Sequence, residues 1–172
     1  MEILISGFRF VGKSKTCMRK ERYELEMSKE FMTFEFTSVG PKGSIRKRVL
    51  FQDAGRENIY NLAFGDINAD TNDFDDSVVT NNGDSEKVLA TVALAVYYFS
   101  KKYPTAIIVA EGSNAARNRL YRIGISTHLE ELTETFDVYG YLDDVGWCVY
   151  EKNKNYSAFF IKKKKLRNGK DS

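Results

Sequence analysis

Histidine is almost missing from this chain of 172 residues; His128 is the single one. That excludes a catalytic or zinc site built around several histidines. Cysteine is nearly as scarce, with Cys17 and Cys148 alone. Cys17 lies in a basic segment and Cys148 beside Trp147 in an expected strand, where packing is the simpler role. A reducing compartment is then the simpler reading, and a cytoplasmic protein is expected. No apolar run reaches the ~18 residues that a membrane span needs. The apolar ILISGF near Met1 lacks a small-residue cleavage site, so it is not read as a signal peptide. Internal repeats and flexible linkers are missing too.

What is present is a globular composition with an uneven charge. Residues 1–22 carry six basic and two acidic groups, and residues 162–172 carry six basic and one acidic. The middle, 23–161, has fourteen basic and twenty-one acidic residues. This divides the chain into a basic N-terminal extension (1–22), one α/β domain (23–161) and a basic C-terminal tail (162–172). Nucleic-acid contact through the tails is set aside, because KKKKLRNGKDS has no interleaved aromatics.

The stretch from Thr80 to Gly124 organises the rest. Asp84 is placed to cap a helix over Glu86–Phe99, in which Val88, Leu89, Val92, Val96 and Phe99 form one apolar face. Lys101 and Lys102 suit its last turn, and Pro104 stops it. Thr105–Ala110 (TAIIVA) reads as a strand covered on both faces. Ser113 is the expected cap of a second helix ending at Gly124, with Ala116, Leu120 and Ile123 on one face.

Upstream, alternation predicts strands over Phe31–Thr37, Ile45–Gln52 and Ile59–Phe64, a meander. Residues 65–84 form a long acidic loop with a short possible strand at Ser77–Val79. Its Asp66, Asn68 and Asp70 open like a calcium loop, but Thr71 and Ser77 stand where Gly and Glu belong, and Asx turns are the simpler reading. Downstream, Ser126–Leu132 reads as a short helix and Phe136–Tyr141 as a strand. Val145–Glu151 and Tyr156–Ile161 read as a final hairpin. The fold class is therefore α/β (α+β), an antiparallel meander followed by helix, strand, helix and closing strands.

One motif misleads. Gly7-Phe-Arg-Phe-Val-Gly12-Lys13-Ser14 fits a phosphate loop letter by letter, and Leu50–Gly55 is placed like the strand and Asp of a small GTPase. The loop must open a helix, yet KTCMRKERYELE has no apolar helical face. No Asn-Lys-x-Asp element for guanine is present downstream, so a GTPase or ATPase is disfavoured. Residues 1–17 read instead as an upstream extension.

The segment Asn114-Ala-Ala116-Arg-Asn-Arg-Leu120-Tyr121-Arg-Ile-Gly124-Ile125, in this order of elements, resembles the second half of the GNAT acyltransferase fold. The resemblance implies a mixed sheet, an acyl-coenzyme A held between central strands, and Tyr121 as proton donor to a leaving thiolate. In that family a Q/R-x-x-G-x-G/A loop holds the coenzyme's pyrophosphate. Here the place reads Val79-Thr-Asn-Asn-Gly83-Asp84, which departs from the pattern. From about Tyr23 to Ile161, the blocks GPKG, YNLAFGD, NNGDSEKVLATVA, GSNAARNRLYR and VYG also resemble an uncharacterised family of small bacterial proteins, which brings no catalytic residues.

The candidate site lies where the two helices begin. Asn81, Asn82 and Gly83 form either an anion-binding nest or a tight turn. Asn114 and Arg117 lead into the second helix, and Arg117 lies one turn before Tyr121. Helix N-termini supply N–H donors and partial positive charge to an anionic ligand. Tyr121 is the candidate general acid, against a packing role at the edge of the core. Two functions are compatible with these residues. One is a non-enzymatic or degenerate GNAT-like module, a regulator or toxin–antitoxin partner that recognises a protein. The other is an acyltransferase that binds acyl-coenzyme A or a similar anion here.

Overall fold

A computed structural model describes residues 20–78 and 80–165. The phosphate-loop motif, Cys17 and Val79 lie outside the described residues. The twelve elements are β1 (Glu26–Met27), β2 (Thr33–Gly40), β3 (Gly43–Asp53), β4 (Ile59–Ile67), β5 (Phe74–Asp75), α1 (Ser85–Lys102), β6 (Ile107–Glu111), α2 (Ala115–Thr127), α3 (Leu129–Thr135), β7 (Phe136–Leu142), β8 (Gly146–Val149) and β9 (Ala158–Lys163). The strands form one mixed sheet in the order β1-β2-β3-β4-β6-β9-β7-β8, with β5 beside β4. Among the described residues only β4 and β6 run parallel, and α1 is the crossover between them. The α+β class and the meander over β2–β4 are as the alternation predicts.

Strand alternation divides the sheet into two faces. Phe34 and Phe36, Val49 and Phe51, Leu62 and Phe64, Val138, Phe159 and Ile161 point to one side and are buried. There they pack with Val88, Val92, Ala95, Val96 and Phe99 of α1, Tyr121 and Ile125 of α2, and Leu132 of α3. Phe51 and Phe99 stack with ring centroids 4.0 Å apart. Among the described residues, all three helices therefore cover the same face. The alternate residues, among them Leu50, Val109, Tyr139 and Phe160, are only half-buried on the other face. No helix among the described residues is long and apolar enough to cross a membrane.

Four features differ from the sequence expectation. First, β8 and β9 do not pair as a hairpin; β9 inserts between β6 and β7, and β7 separates it from β8. The turn between β8 and β9 is a local signal, whereas insertion beside β6 is decided by long-range pairing. Second, the short strand in the acidic region is Phe74–Asp75, upstream of Ser77. Third, α2 is capped by Asn114 rather than Ser113, and it runs past Gly124. A Cβ on Gly124 would sit 3.0 Å from Leu89 Cδ2, so this glycine serves the close approach of α1 and α2. Fourth, Asp84 does occupy the N-cap of α1, but its carboxylate makes no cap hydrogen bond. It accepts instead from Ser38 Oγ (2.6 Å) and Tyr23 Oη (2.7 Å), tying α1 to β2 and the N-terminal segment.

Gly140 marks a tight point in the C-terminal half. A Cβ there would meet Tyr156 Cδ1 at 2.3 Å, and Tyr156 is itself 3% exposed. Gly140→Ala should cost about 1–3 kcal/mol through overpacking. Denaturant titration monitored by circular dichroism should show the lower midpoint; an unchanged midpoint would mean that the ring moves freely.

Candidate functional site

The site forms where the two central strands part. β4 and β6 pair only from Ile59–Asn61 with Ile107–Val109. Further on, β4 pairs with β5, Asp66 opposite Asp75 and Ile67 opposite Phe74. Gly65 makes this approach fit, since a Cβ there would lie 2.1 Å from Asp75 O. The preceding loop is an Asx turn, with Asn68 Oδ1 accepting from the backbone N–H of Asp70 (2.9 Å) and Thr71 (3.1 Å).

The start of α2 grips residues 76–78, immediately after β5. Ser113 Oγ donates to Asp76 O (3.2 Å), Asn114 Nδ2 to Ser77 O (3.1 Å), and Arg117 Nε and Nη2 to Asp76 O (2.9 Å) and Val78 O (2.5 Å). Three successive carbonyls are thus each held by a side chain from one helix start. Asn114 Oδ1 also accepts from Arg117 N (2.9 Å), the expected cap geometry. Arg117 is 2% exposed, with its guanidinium 5.3 Å from the Phe64 ring centroid. Burial lowers its pKa from the ordinary value, and Tyr121, Asp66, Asp76 and Asp75 oppose that.

Tyr121 lies behind Arg117 and is 8% exposed. Burial pushes its hydroxyl up to about 12; Arg117 and the Phe64 backbone pull it down, and Asp76 adds to the rise. Its ring belongs to the buried core cluster, and burial keeps its hydroxyl in the neutral form.

The asparagine–glycine turn divides its work. Asn82 is 1% exposed and faces the β2–β3 hairpin. Its Oδ1 accepts from Lys42 N (2.8 Å), and its Nδ2 donates to Ser38 Oγ (3.0 Å) and Gly43 O (3.0 Å). Gly40 leaves the room for it, as a Cβ there would lie 1.9 Å from Asn82 O. Gly83 takes φ +76°, and its N–H donates to Asn81 Oδ1 (3.0 Å). The turn geometry uses these groups internally.

Between the starts of α1 and α2 lies a half-open pocket of about 550 Å³. Asn81 and Arg117 line it, while Asn82, Gly83, Asn114 and Tyr121 do not. Val88, Leu120 and Ile123 form apolar walls, and Arg119 stands on the rim. Its floor holds Lys47, which is 2% exposed and pairs with Asp66 at 2.5 Å; Thr80 Oγ1 donates to the other carboxylate oxygen. Sequence reasoning missed this pair. Its signal was present: Lys47 shares the inward alternation of Val49 and Phe51, and Asp66 that of Leu62 and Phe64.

Arg117→Ala should leave the Val78 carbonyl without its side-chain donor and the Asp76 carbonyl with Ser113 alone, at a cost of about 3 kcal/mol. Limited proteolysis should then cut between Asp75 and Val78, where the wild type resists; unchanged resistance would show that the clamp does not hold this segment. Alkali gives a second check. The folded-state pKa of Tyr121 lies above its ordinary 10.0, at about 12, so the folded state keeps its proton longer. Stability from this group is complete below pH 10 and is lost as pH rises toward 12. Tyr121→Phe should remove roughly 3 kcal/mol of that alkaline loss in denaturant titrations. Equal slopes for wild type and variant would contradict a buried Tyr121.

No curated protein and no solved structure matches this chain. A protein-family model does, over residues 19–164. The region it matches contains every described strand and helix, the clamp on residues 76–78 and the pocket. The chain therefore belongs to the family of unknown function DUF6934.

Proposed function

We propose that this chain is a non-enzymatic recognition module on a GNAT-like sheet. A single observation carries the reading: Ser113, Asn114 and Arg117 hold residues 76–78 in the place between the parting central strands where an acyl-coenzyme A is expected. The groups expected to bind and protonate such a ligand are engaged, Arg117 with two carbonyls and Tyr121 by burial. The order of elements and the parallel β4–β6 pair support the GNAT likeness. A role as regulator or toxin–antitoxin partner fits such a module. The scarcity of cysteine supports the bacterial cytoplasm as its place, as does the resemblance of its sequence blocks to small bacterial proteins.

The alternative of an anionic ligand, up to acyl-coenzyme A itself, has its own support. The pocket lies between two helix starts, and the Asp84 side chain makes no cap hydrogen bond to the first turn of α1. Thermal unfolding with acetyl-coenzyme A separates the two. A ligand at 100 times its Kd adds about 2.7 kcal/mol to stability. The expected result is no shift and no release of free coenzyme A with amine acceptors. A saturable shift lost in Arg119→Ala would favour the ligand reading, and turnover lost in Tyr121→Phe would establish the transferase.

A further inference from the structure

β8 ends the sheet, and among the described residues no strand lies on its outer side. Its sequence, Gly-Trp-Cys-Val, has no charge and no proline. Edge strands usually carry such blocks against pairing with another chain. Trp147 and Val149 point to the sheet face without helices and are 46% and 66% exposed. Trp147 rests edge-on against Tyr141 and Phe160, at 5.3 and 4.9 Å between centroids. Phe160 in turn stacks on Tyr139 at 4.4 Å.

The ladder with β7 fixes which backbone groups are free. Tyr150 N donates to Val138 O. With Gly140 opposite Cys148 and Leu142 opposite Gly146, the bonded positions of β8 are the even ones. The N–H and C=O of Trp147 and Val149 therefore point away from β7. The flanking odd amides are engaged: Val145 N donates to Leu142 O and Glu151 N to Tyr156 Oη. The open edge is thus limited to two residues.

We propose that β8 pairs antiparallel with β8 of a second copy of this chain, about a two-fold axis through Cys148. In this register Trp147 of each copy lies opposite Val149 of the other, and each pair exchanges both of its hydrogen bonds. No other centre matches the free groups. Centred on Trp147, Val149 would face the engaged amide of Val145; centred on Val149, Trp147 would face that of Glu151. Trp147 and Val149 of both copies then form one apolar strip on the helix-free face. The register is self-complementary, as a two-fold interface requires.

The register places the two Cys148 residues as a non-hydrogen-bonded pair with Cα atoms about 4.5 Å apart, within the range a disulfide spans. The test uses the full chain. Sedimentation equilibrium should give twice 19.7 kDa for the wild type. Val149→Pro removes one outward N–H without touching the β7 ladder, and should halve the mass with the circular dichroism spectrum kept. Trp147→Lys should do the same and carries the test if the proline variant does not fold. In a Cys17→Ser background, copper–phenanthroline should crosslink the dimer through Cys148, and Val149→Pro should abolish the crosslink. A monomeric wild type at millimolar concentration overturns the proposal, as does a dimer that survives both variants. A dimer that is broken by the variants but never crosslinks overturns the register through Cys148.

Discussion

Arg117 is buried where β4 and β6 separate, and a guanidinium in that position must be satisfied. Removing a charge from water costs several kcal/mol unless hydrogen bonds and packing offset it. Here Nε and Nη2 meet two backbone carbonyls, and the guanidinium carbon lies 5.3 Å from the centroid of the Phe64 ring. The segment that supplies those carbonyls is polar and acidic and has little apolar surface of its own to bury. Its position depends on α2 as much as on β4. The short β5 pairing, the missing Cβ at Gly65 and the Asn114 cap all bring the same stretch to the same cation.

That arrangement explains how a three-residue parallel contact joins the two halves of the sheet. β4 and β6 share few ladder bonds, so α1 above them and the clamp at their open end complete the junction. Tyr121 and Phe64 fill the space beneath the clamp with rings rather than leaving a channel. The site is thereby converted from a cleft between strands into a shallower pocket between helices, floored by the Lys47–Asp66 pair.

Much of the fold was legible in the sequence because it is written in local periodicity. The alternation from Phe34 to Phe64 specifies the meander, and the Val88–Phe99 stripe specifies α1 with its buried face. The order of closing strands was not, since a turn between β8 and β9 fits a hairpin as well as an excursion around β7. Asp84 shows a second kind of limit. Its position as N-cap is a local property, but its carboxylate is claimed by Ser38 and Tyr23, which are distant in sequence. The candidate site was partly legible in the same sense. Asn114, Arg117 and Tyr121 do lie together at the start of α2, but the groups they meet come from the acidic segment, whose path no periodicity describes. Asn82 is drawn to the β2–β3 hairpin for the same reason.

The charges around the pocket bear on what it can receive. Lys47, Arg117 and Arg119 line it against Asp66 and Asp84. Lys47 is neutralised by Asp66 at contact distance, and Arg117 is turned to the carbonyls of Asp76 and Val78. Arg119, on the rim, is the cation left facing the opening. A pyrophosphate brings several negative charges, and its binding rests on forked, charge-assisted hydrogen bonds of the kind that arginine supplies. One rim arginine and a helix turn to which Asp84 makes no cap hydrogen bond match a single weak anion better than a coenzyme. The apolar walls of Val88, Leu120 and Ile123 match a side chain better than a sugar phosphate. The charge count and the wall chemistry therefore add support to the proposal that this site recognises a protein surface.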